Sequence, residues 1–259
     1  MYVSRIGFTP LKGGRHCEHP SVELATSGPV GDRVFCLVDP ARRRVLRTVE
    51  NPALLQTSAV WTDGMLTTTL PGRTVAGVPA PTGEVLKVDY WGRVAALEVV
   101  DGGWAVAYSR HLGYDVVLAR VTQPGEVVFG AAVSLVTTAA LATLARRLGA
   151  AVDEAGFRAT FTIDTGGATV LDDLVEGPGP HSSSRKVRLG AAEVQVCAAV
   201  PRCAVVDLDP RTGARASRAL STLGRYRGGR DGVTFGLDAV VSKPGRVHVG
   251  DPVHLVEGG

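Results

Sequence analysis

Val200-Pro201-Arg202-Cys203-Ala204-Val205-Val206-Asp207-Leu208-Asp209-Pro210-Arg211-Thr212-Gly213 is the stretch on which the reading of this chain turns. Its β-branched run predicts a strand over Ala204–Leu208, and Asp209-Pro210 with Thr212-Gly213 predicts a turn, because Pro fixes φ and Gly tolerates positive φ. In a regular strand Cys203, Val205 and Asp207 share one face, with the carboxylate roughly 13 Å along from the thiol. At that separation Asp207 makes no direct hydrogen bond to Cys203 and is left to orient a substrate amine or an arginine. A cysteine beside Arg202 has its thiolate favoured electrostatically, and the thiolate is the form that attacks electrophiles and binds soft metals. An Arg-Cys pair is more often core packing than chemistry, so these residues assign no function by themselves.

Working outward, the first hundred residues read as short β segments separated by turns: Val34–Val38, Val45–Thr48, Thr57–Trp61, Leu66–Leu70, Val85–Tyr90 and Val94–Val100. This spacing predicts an antiparallel barrel or sandwich. A short helix follows, with Asp101 as its expected N-cap, Trp104, Ala105 and Tyr108 on one stripe, and Gly113 just past its end. The clearest helix is Thr137–Leu148, where Leu141, Leu144, Ala145 and Leu148 recur at helical spacing and Gly149 stops the run. Its first-turn N–H groups lack intrahelical partners, so Thr137 and Thr138 stand at an anion-seeking end as well as at ordinary capping positions. Further strands are expected at Tyr2–Phe8, Val116–Val121, Thr160–Ile163, Glu193–Val200, Val233–Val241 and Pro252–Val256, with a helical turn over Ala219–Tyr226. Gly177–Ser184 is the most loop-like stretch.

Composition narrows the function classes. At 259 residues the chain can bury a substantial core as one large or two intimate domains. A net charge of +3, with Arg42–Arg44 as the one basic run, does not point to nucleic acid. The most apolar stretch, Ala131–Ala145, is broken by Ser134 and three threonines and is too short for a bilayer span, so no membrane helix is expected. The N-terminus reads as a strand, and a cytoplasmic location with free thiols is the expectation. Cys17, Cys36, Cys197 and Cys203 form no CxxC pair and no zinc-ligand spacing. Cys36 and Cys197 read as core, and His16-Cys17-Glu18-His19 as a loop tip.

The order of several segments resembles the MOSC-domain family. Pro10-Leu11-Lys12-Gly13, Val30-Gly31-Asp32-Arg33 through Asp39, and Arg47 resemble the N-terminal β-barrel domain that accompanies many MOSC domains. Val133–Thr138, Gly156-Phe157-Arg158, Arg202-Cys203 with Asp209-Pro210-x-Thr212-Gly213, Tyr226-Arg227 and Gly245–Val253 resemble the MOSC domain itself. The resemblance implies a mostly β (α+β) fold, with an N-terminal β-barrel domain over residues 1–100. It would pack on a linker helix and MOSC β-barrel with flanking helices over residues 101–259.

It also implies molybdenum cofactor as the ligand. By position, Cys203 would ligate the metal, while Lys12, Arg33 and Arg47 would bring positive charge. Thr137 and Thr138 would bind at the helix N-terminus, and Arg158, Thr160 and Arg202 would contact the pterin or its phosphate. The charge logic agrees, since a phosphate-bearing dithiolene is anionic and molybdenum is thiophilic. Cys203 and Asp207 are the candidate catalytic residues. The leading expectation is an oxidoreductase reducing N-hydroxylated or related N–O compounds, with a small-molecule substrate and a separate electron-donor protein. The alternative is a cofactor-free enzyme using Cys203 as nucleophile or persulfide carrier in carbon–sulfur cleavage or sulfur transfer. It draws on Thr160 and Gly13, which stand where many relatives carry asparagine and serine, and on Asp207, which stands where reducing relatives often carry threonine. A third possibility is a carrier that delivers the pterin without turnover.

Overall fold

In the computed structural model, residues 1–167, 185–229 and 232–256 are described. The predicted loop at Gly177–Ser184 lies outside them. The chain opens with β1 (Tyr2–Phe8), β2 (Cys17–Glu18), β3 (Ser21–Ala25) and β4 (Gly28–Pro29). Next come β5 (Phe35–Asp39), β6 (Arg44–Val45), β7 (Ser58–Thr62), β8 (Met65–Leu70), β9 (Arg73–Gly77), β10 (Ala80–Tyr90) and β11 (Arg93–Asp101). Helix α1 (Trp104–Leu112) leads to β12 (Val117–Val121) and β13 (Val133–Thr137), and α2 (Thr138–Leu148) leads to β14 (Phe161–Asp164). The chain continues through β15 (Lys186–Leu189), β16 (Ala192–Pro201), α3 (Ala219–Arg227) and β17 (Gly228–Gly229). It ends with β18 (Gly232–Lys243), β19 (Gly245–His248) and β20 (Val253–Val256). The fold is mostly β, as the sequence predicts.

A closed barrel runs β10-β11-β12-β5-β6, and the largest sheet runs β2-β1-β14-β13-β18-β16-β15-β20 with β17 on β18. Pairing crosses residue 100 in both directions. β1 pairs with β14 and β3 with β19, while β12 is hydrogen-bonded between β11 and β5. β13 and β14 are parallel, with Leu135 opposite Phe161, so a crossover is required, and α2 supplies it. Alternating apolar residues make the two interiors. Ile6, Leu135, Phe161, Val194 and Leu237 fill the large sheet's core, and Cys36, Tyr90, Leu97 and Ala119 fill the barrel's.

The helices follow their sequence signals with one correction. Thr137 caps α2 by accepting from the Ala140 N–H at 3.0 Å, and Gly149 ends it at φ 72°. For α1 the N-cap is Gly103, not Asp101. Asp101 is the last residue of β11, and its Oδ1 accepts from the adjacent Gly102 N–H.

The predicted strand after Cys203 is also corrected. Ala204–Asp207 is a 3₁₀ turn, closed by Val206 N–H to Cys203 O at 3.2 Å and Leu208 N–H to Val205 O at 3.0 Å. Tertiary packing overrides the β-branched propensity here, because the turn buries Val206 against Phe157, Leu223 and Phe235. The turn Asp209–Gly213 forms as expected, Asp209 Oδ1 accepting from the Arg211 and Thr212 N–H groups at 2.8 Å. It docks on the 3₁₀ segment Pro52–Gln56, with Gln56 Nε2 donating to Thr212 O at 3.0 Å. Gly213 sits at φ 74°, and a Cβ there would lie 2.1 Å from the Pro52 carbonyl oxygen. Gly213→Ala is therefore expected to cost about 1–3 kcal/mol in denaturant unfolding, from left-handed strain and the enforced separation of this contact.

Candidate functional site

A cavity of about 280 Å³ gathers side chains from distant parts of the sequence, including Lys12, Arg33, Arg47, Arg158, Arg202 and Cys203. Each cation is delivered by backbone geometry. Lys12 follows Leu11, which bridges to Phe35, and its N–H donates to Phe35 O at 2.7 Å. Arg33 precedes β5, donates its N–H to Thr9 O at 2.8 Å and lies 3.3 Å from Asp32. Arg158 ends the 3₁₀ turn Glu154–Phe157 and donates Nη1 to Gly14 O at 2.8 Å, tying the approach to β14 to the loop after β1. Arg202 donates Nε to Phe235 O and Nη1 to Phe157 O, both at 2.7 Å. Cys203 follows it in extended conformation and is exposed.

Five described non-glycine residues have positive φ, and three of them, Arg33 (49°), Trp91 (54°) and Arg158 (53°), line this cavity. Bulky side chains rarely adopt that backbone, and such strain tends to collect at functional sites. The electrostatics are equally pointed. Burial, with the Arg33 and Arg158 charges added, pushes the Lys12 ammonium down to about 7. Burial, reinforced by Arg33, takes Arg158 down to about 10, and burial takes Arg202 to about 10 against the pull of Asp238 and Cys203. Arg47 Nε and Arg202 Nη2 are buried without hydrogen-bond partners among the described residues. Crowded cations with unused donors favour an anion.

Thr160 and Ser134 also line the cavity and bond reciprocally. Ser134 N–H donates to Thr160 Oγ1 at 3.2 Å, and Thr160 N–H donates to Ser134 Oγ at 3.3 Å. Of the sequence-derived site residues, Thr137, Thr138 and Asp207 do not line it. The Thr137 hydroxyl is spent capping α2. Asp207 is buried; its Oδ1 accepts from the Leu220 N–H at 2.9 Å, capping α3, and its Oδ2 meets Arg215 at 3.4 Å. The shared face expected of Cys203 and Asp207 disappears with the strand.

Residues that the sequence reading did not single out complete the walls, among them Asp238, Trp91 and Phe129. Asp238 is nearly buried on β18, and desolvation pushes its carboxyl up to about 6 despite the Ala131 N–H, Arg202 and Arg33. A lone carboxylate inside the apolar run Val233–Val241 was the available signal. Two other readings are corrected. Of the expected loop tip, Cys17 and Glu18 pair with β1 and His16 is buried just before them, and Cys197 is exposed, its thiol donating to Asp238 O at 3.2 Å.

Among the described residues no three His, Cys, Asp or Glu side chains gather as a metal-ligand set. No helix among the described residues is long and apolar enough to cross a membrane.

A mostly β protein with a cation-lined, thiol-bearing cavity defines a class suited to an anionic, sulfur-seeking group. Residues 108–254 match the MOSC domain, more than half of the chain, and the chain belongs to that family. A β-rich N-terminal region precedes the matched stretch. The family is associated with molybdenum-cofactor binding. No curated protein matches the chain. Among solved structures, it is similar to YuaD of Bacillus subtilis, at 10% identity over 98% of this chain and 93% of that one, with a TM-score of 0.46. It is also similar to YiiM of Geobacillus stearothermophilus, at 18% identity over 49% of this chain and 55% of that one, with a TM-score of 0.35.

Two outcomes are expected from these charges. Lys12 is charged below about pH 7, so sulfate, which does not titrate in this range, should bind with proton uptake near neutrality and weaken as pH rises through 7. Calorimetry in buffers of different ionisation enthalpy reads this directly, and Lys12→Met should remove the proton uptake. For Asp238 the folded value lies above the ordinary 3.8, so its contribution to stability is present below about pH 4 and lost as pH rises through about 6. Asp238→Asn should therefore gain on the wild type by about 2–3 kcal/mol between pH 4 and 7 in denaturant titrations.

Proposed function

We propose that this chain is a molybdenum-cofactor-dependent oxidoreductase that reduces N-hydroxylated or related N–O compounds. The observation that carries the reading is the meeting of Cys203 with Lys12, Arg33, Arg47, Arg158 and Arg202 in one cavity. The residues fit the cofactor: an exposed thiol on the cavity wall for the metal, and cations with two unpartnered buried donors for its phosphate. When bound, the cofactor supplies two-electron redox chemistry and an oxygen-accepting metal. Cys203 would hold the metal, and Arg158 and Arg202, fixed by carbonyls of Gly14, Phe235 and Phe157, would hold the pterin and phosphate without needing to reorganise.

Cleaving an N–OH bond consumes two electrons and two protons and releases water. Asp238 holds a proton up to about pH 6 on the cavity wall and is the chain's own group for delivering one there. Electrons come from a separate donor protein. In this reading residues 1–100 contribute Lys12, Arg33 and Arg47, residues 101–259 contribute the thiol and remaining cations, and the protein works in the cytoplasm.

Metal and pterin analysis of protein made in a host that synthesises the cofactor tests the proposal. Near-stoichiometric molybdenum and pterin are expected, with molybdenum and N–O reduction lost in Cys203→Ser. Protein reproducibly free of both would overturn it and favour thiol chemistry on sulfur substrates.

A further inference from the structure

The mouth of the cavity carries two aromatic rings that neither the cofactor reading nor the family assignment uses. Trp91 and Phe129 line the cavity yet are 40% and 50% exposed. Their ring centroids are 5.0 Å apart with planes inclined at 48°. Trp91 is also braced from below. The Arg47 guanidinium lies 4.0 Å from its ring centroid and is itself within 3.5 Å of Glu50 and Asp89. The cation–π contact favours this orientation of the exposed ring.

The backbone beneath Trp91 makes this placement costly. Tyr90 pairs with Arg93, so Trp91-Gly92 is a two-residue hairpin loop with φ values of 54° and 78°. Positive φ at both positions is the geometry of a type I′ turn, whose first place favours asparagine, aspartate or glycine. A tryptophan there works against the turn while exposing a large apolar face. The turn itself does not call for that residue, and its exposed face borders the cavity, where a ligand would meet it.

We propose that Trp91 and Phe129 form a stacking subsite for the flat aromatic ring of the substrate, so that the enzyme selects aromatic over aliphatic N-hydroxylated compounds. This rests on the N–O reductase reading for the identity of the reacting group. The ring would stack at the mouth while the polar N–O end enters the cation-lined interior toward Cys203. Stacking on an exposed indole and phenyl pair supplies affinity that a methyl group in the same place does not.

The test compares benzohydroxamic acid with acetohydroxamic acid, which share the N–O group, by isothermal calorimetry on full-length protein of measured molybdenum and pterin content. Wild type should bind the aromatic ligand at least about ten-fold more tightly. In Trp91→Asn that preference should fall to within about two-fold, while the melting temperature holds or rises because Asn-Gly suits the turn. A merely structural Trp91 would instead lose stability. Phe129→Ala should reduce the preference without touching the turn. Equal affinities in wild type, no measurable binding of either ligand, or an undiminished preference in Trp91→Asn would each overturn the subsite. Pterin lost from Trp91→Asn would seat the cofactor on these rings and overturn it too. Absence of molybdenum from wild type defeats the reductase reading instead and leaves the ligand comparison readable.

Discussion

Arg202 donates to two carbonyls at once, Phe235 O on β18 and Phe157 O at the end of the turn before β14. Those carbonyls belong to segments 78 residues apart in sequence, and the guanidinium fork holds them at a fixed separation. Arg158 follows directly after Phe157, and Cys203 directly after Arg202, so one side chain sets the relative positions of a second cation and the thiol. The arrangement also depends on Gly236. A Cβ there would lie 2.5 Å from Leu135 O and 3.1 Å from Arg202 Nη2, so a larger residue would collide with both sheet and guanidinium. The Nη2 atom left without a partner faces the same region and is the part of Arg202 not consumed by structure.

The cations are expensive to assemble. Lys12, Arg158 and Arg202 all lose basicity to burial, and Arg33 worsens it for the first two. Carboxylates offset little of this. Asp32 pairs with Arg33, Asp238 is itself held up to about 6, and Asp207 faces away to cap α3. A fold that tolerates this imbalance, together with left-handed backbone at Arg33 and Arg158, gains from an anion that relieves it.

Much of this was legible in the sequence, for definable reasons. Strand periodicity gave β1, β8, β11 and β18 nearly to their ends, and Thr137 with Gly149 bracketed α2, since these signals are local. The ordered motifs gave Lys12, Arg33, Arg47, Arg158, Thr160, Arg202 and Cys203, all of which the fold brings to one cavity. The failures share a cause. Asp207 was read through a strand that tertiary burial of Val206 converts to a 3₁₀ turn, and Thr138 through a helix terminus that does not face the cavity. Asp238 and Trp91 were missed because their meaning lies in neighbours more than 30 residues away, Arg202 for one and Phe129 for the other.

At Thr160, where the resembled family pattern has asparagine, the cavity presents a different set of hydrogen-bonding atoms. An asparagine amide at that place would offer two N–H donors and a carbonyl. Here Thr160 Oγ1 accepts from the Ser134 backbone and Ser134 Oγ accepts from the Thr160 backbone, which fixes both side chains through their acceptor lone pairs. Each hydroxyl hydrogen is then left to donate, and both residues line the cavity. Two hydroxyls with an O–H each available to donate thus stand where one amide would have stood. Ser134 lies on β13 and Thr160 immediately before β14, so their spacing depends on the β13–β14 register rather than on one side chain. The loss of asparagine therefore does not by itself argue against an anionic, hydrogen-bond-accepting ligand. What it changes is the shape of the donor pair, and with it which edge of a bound ring can be read.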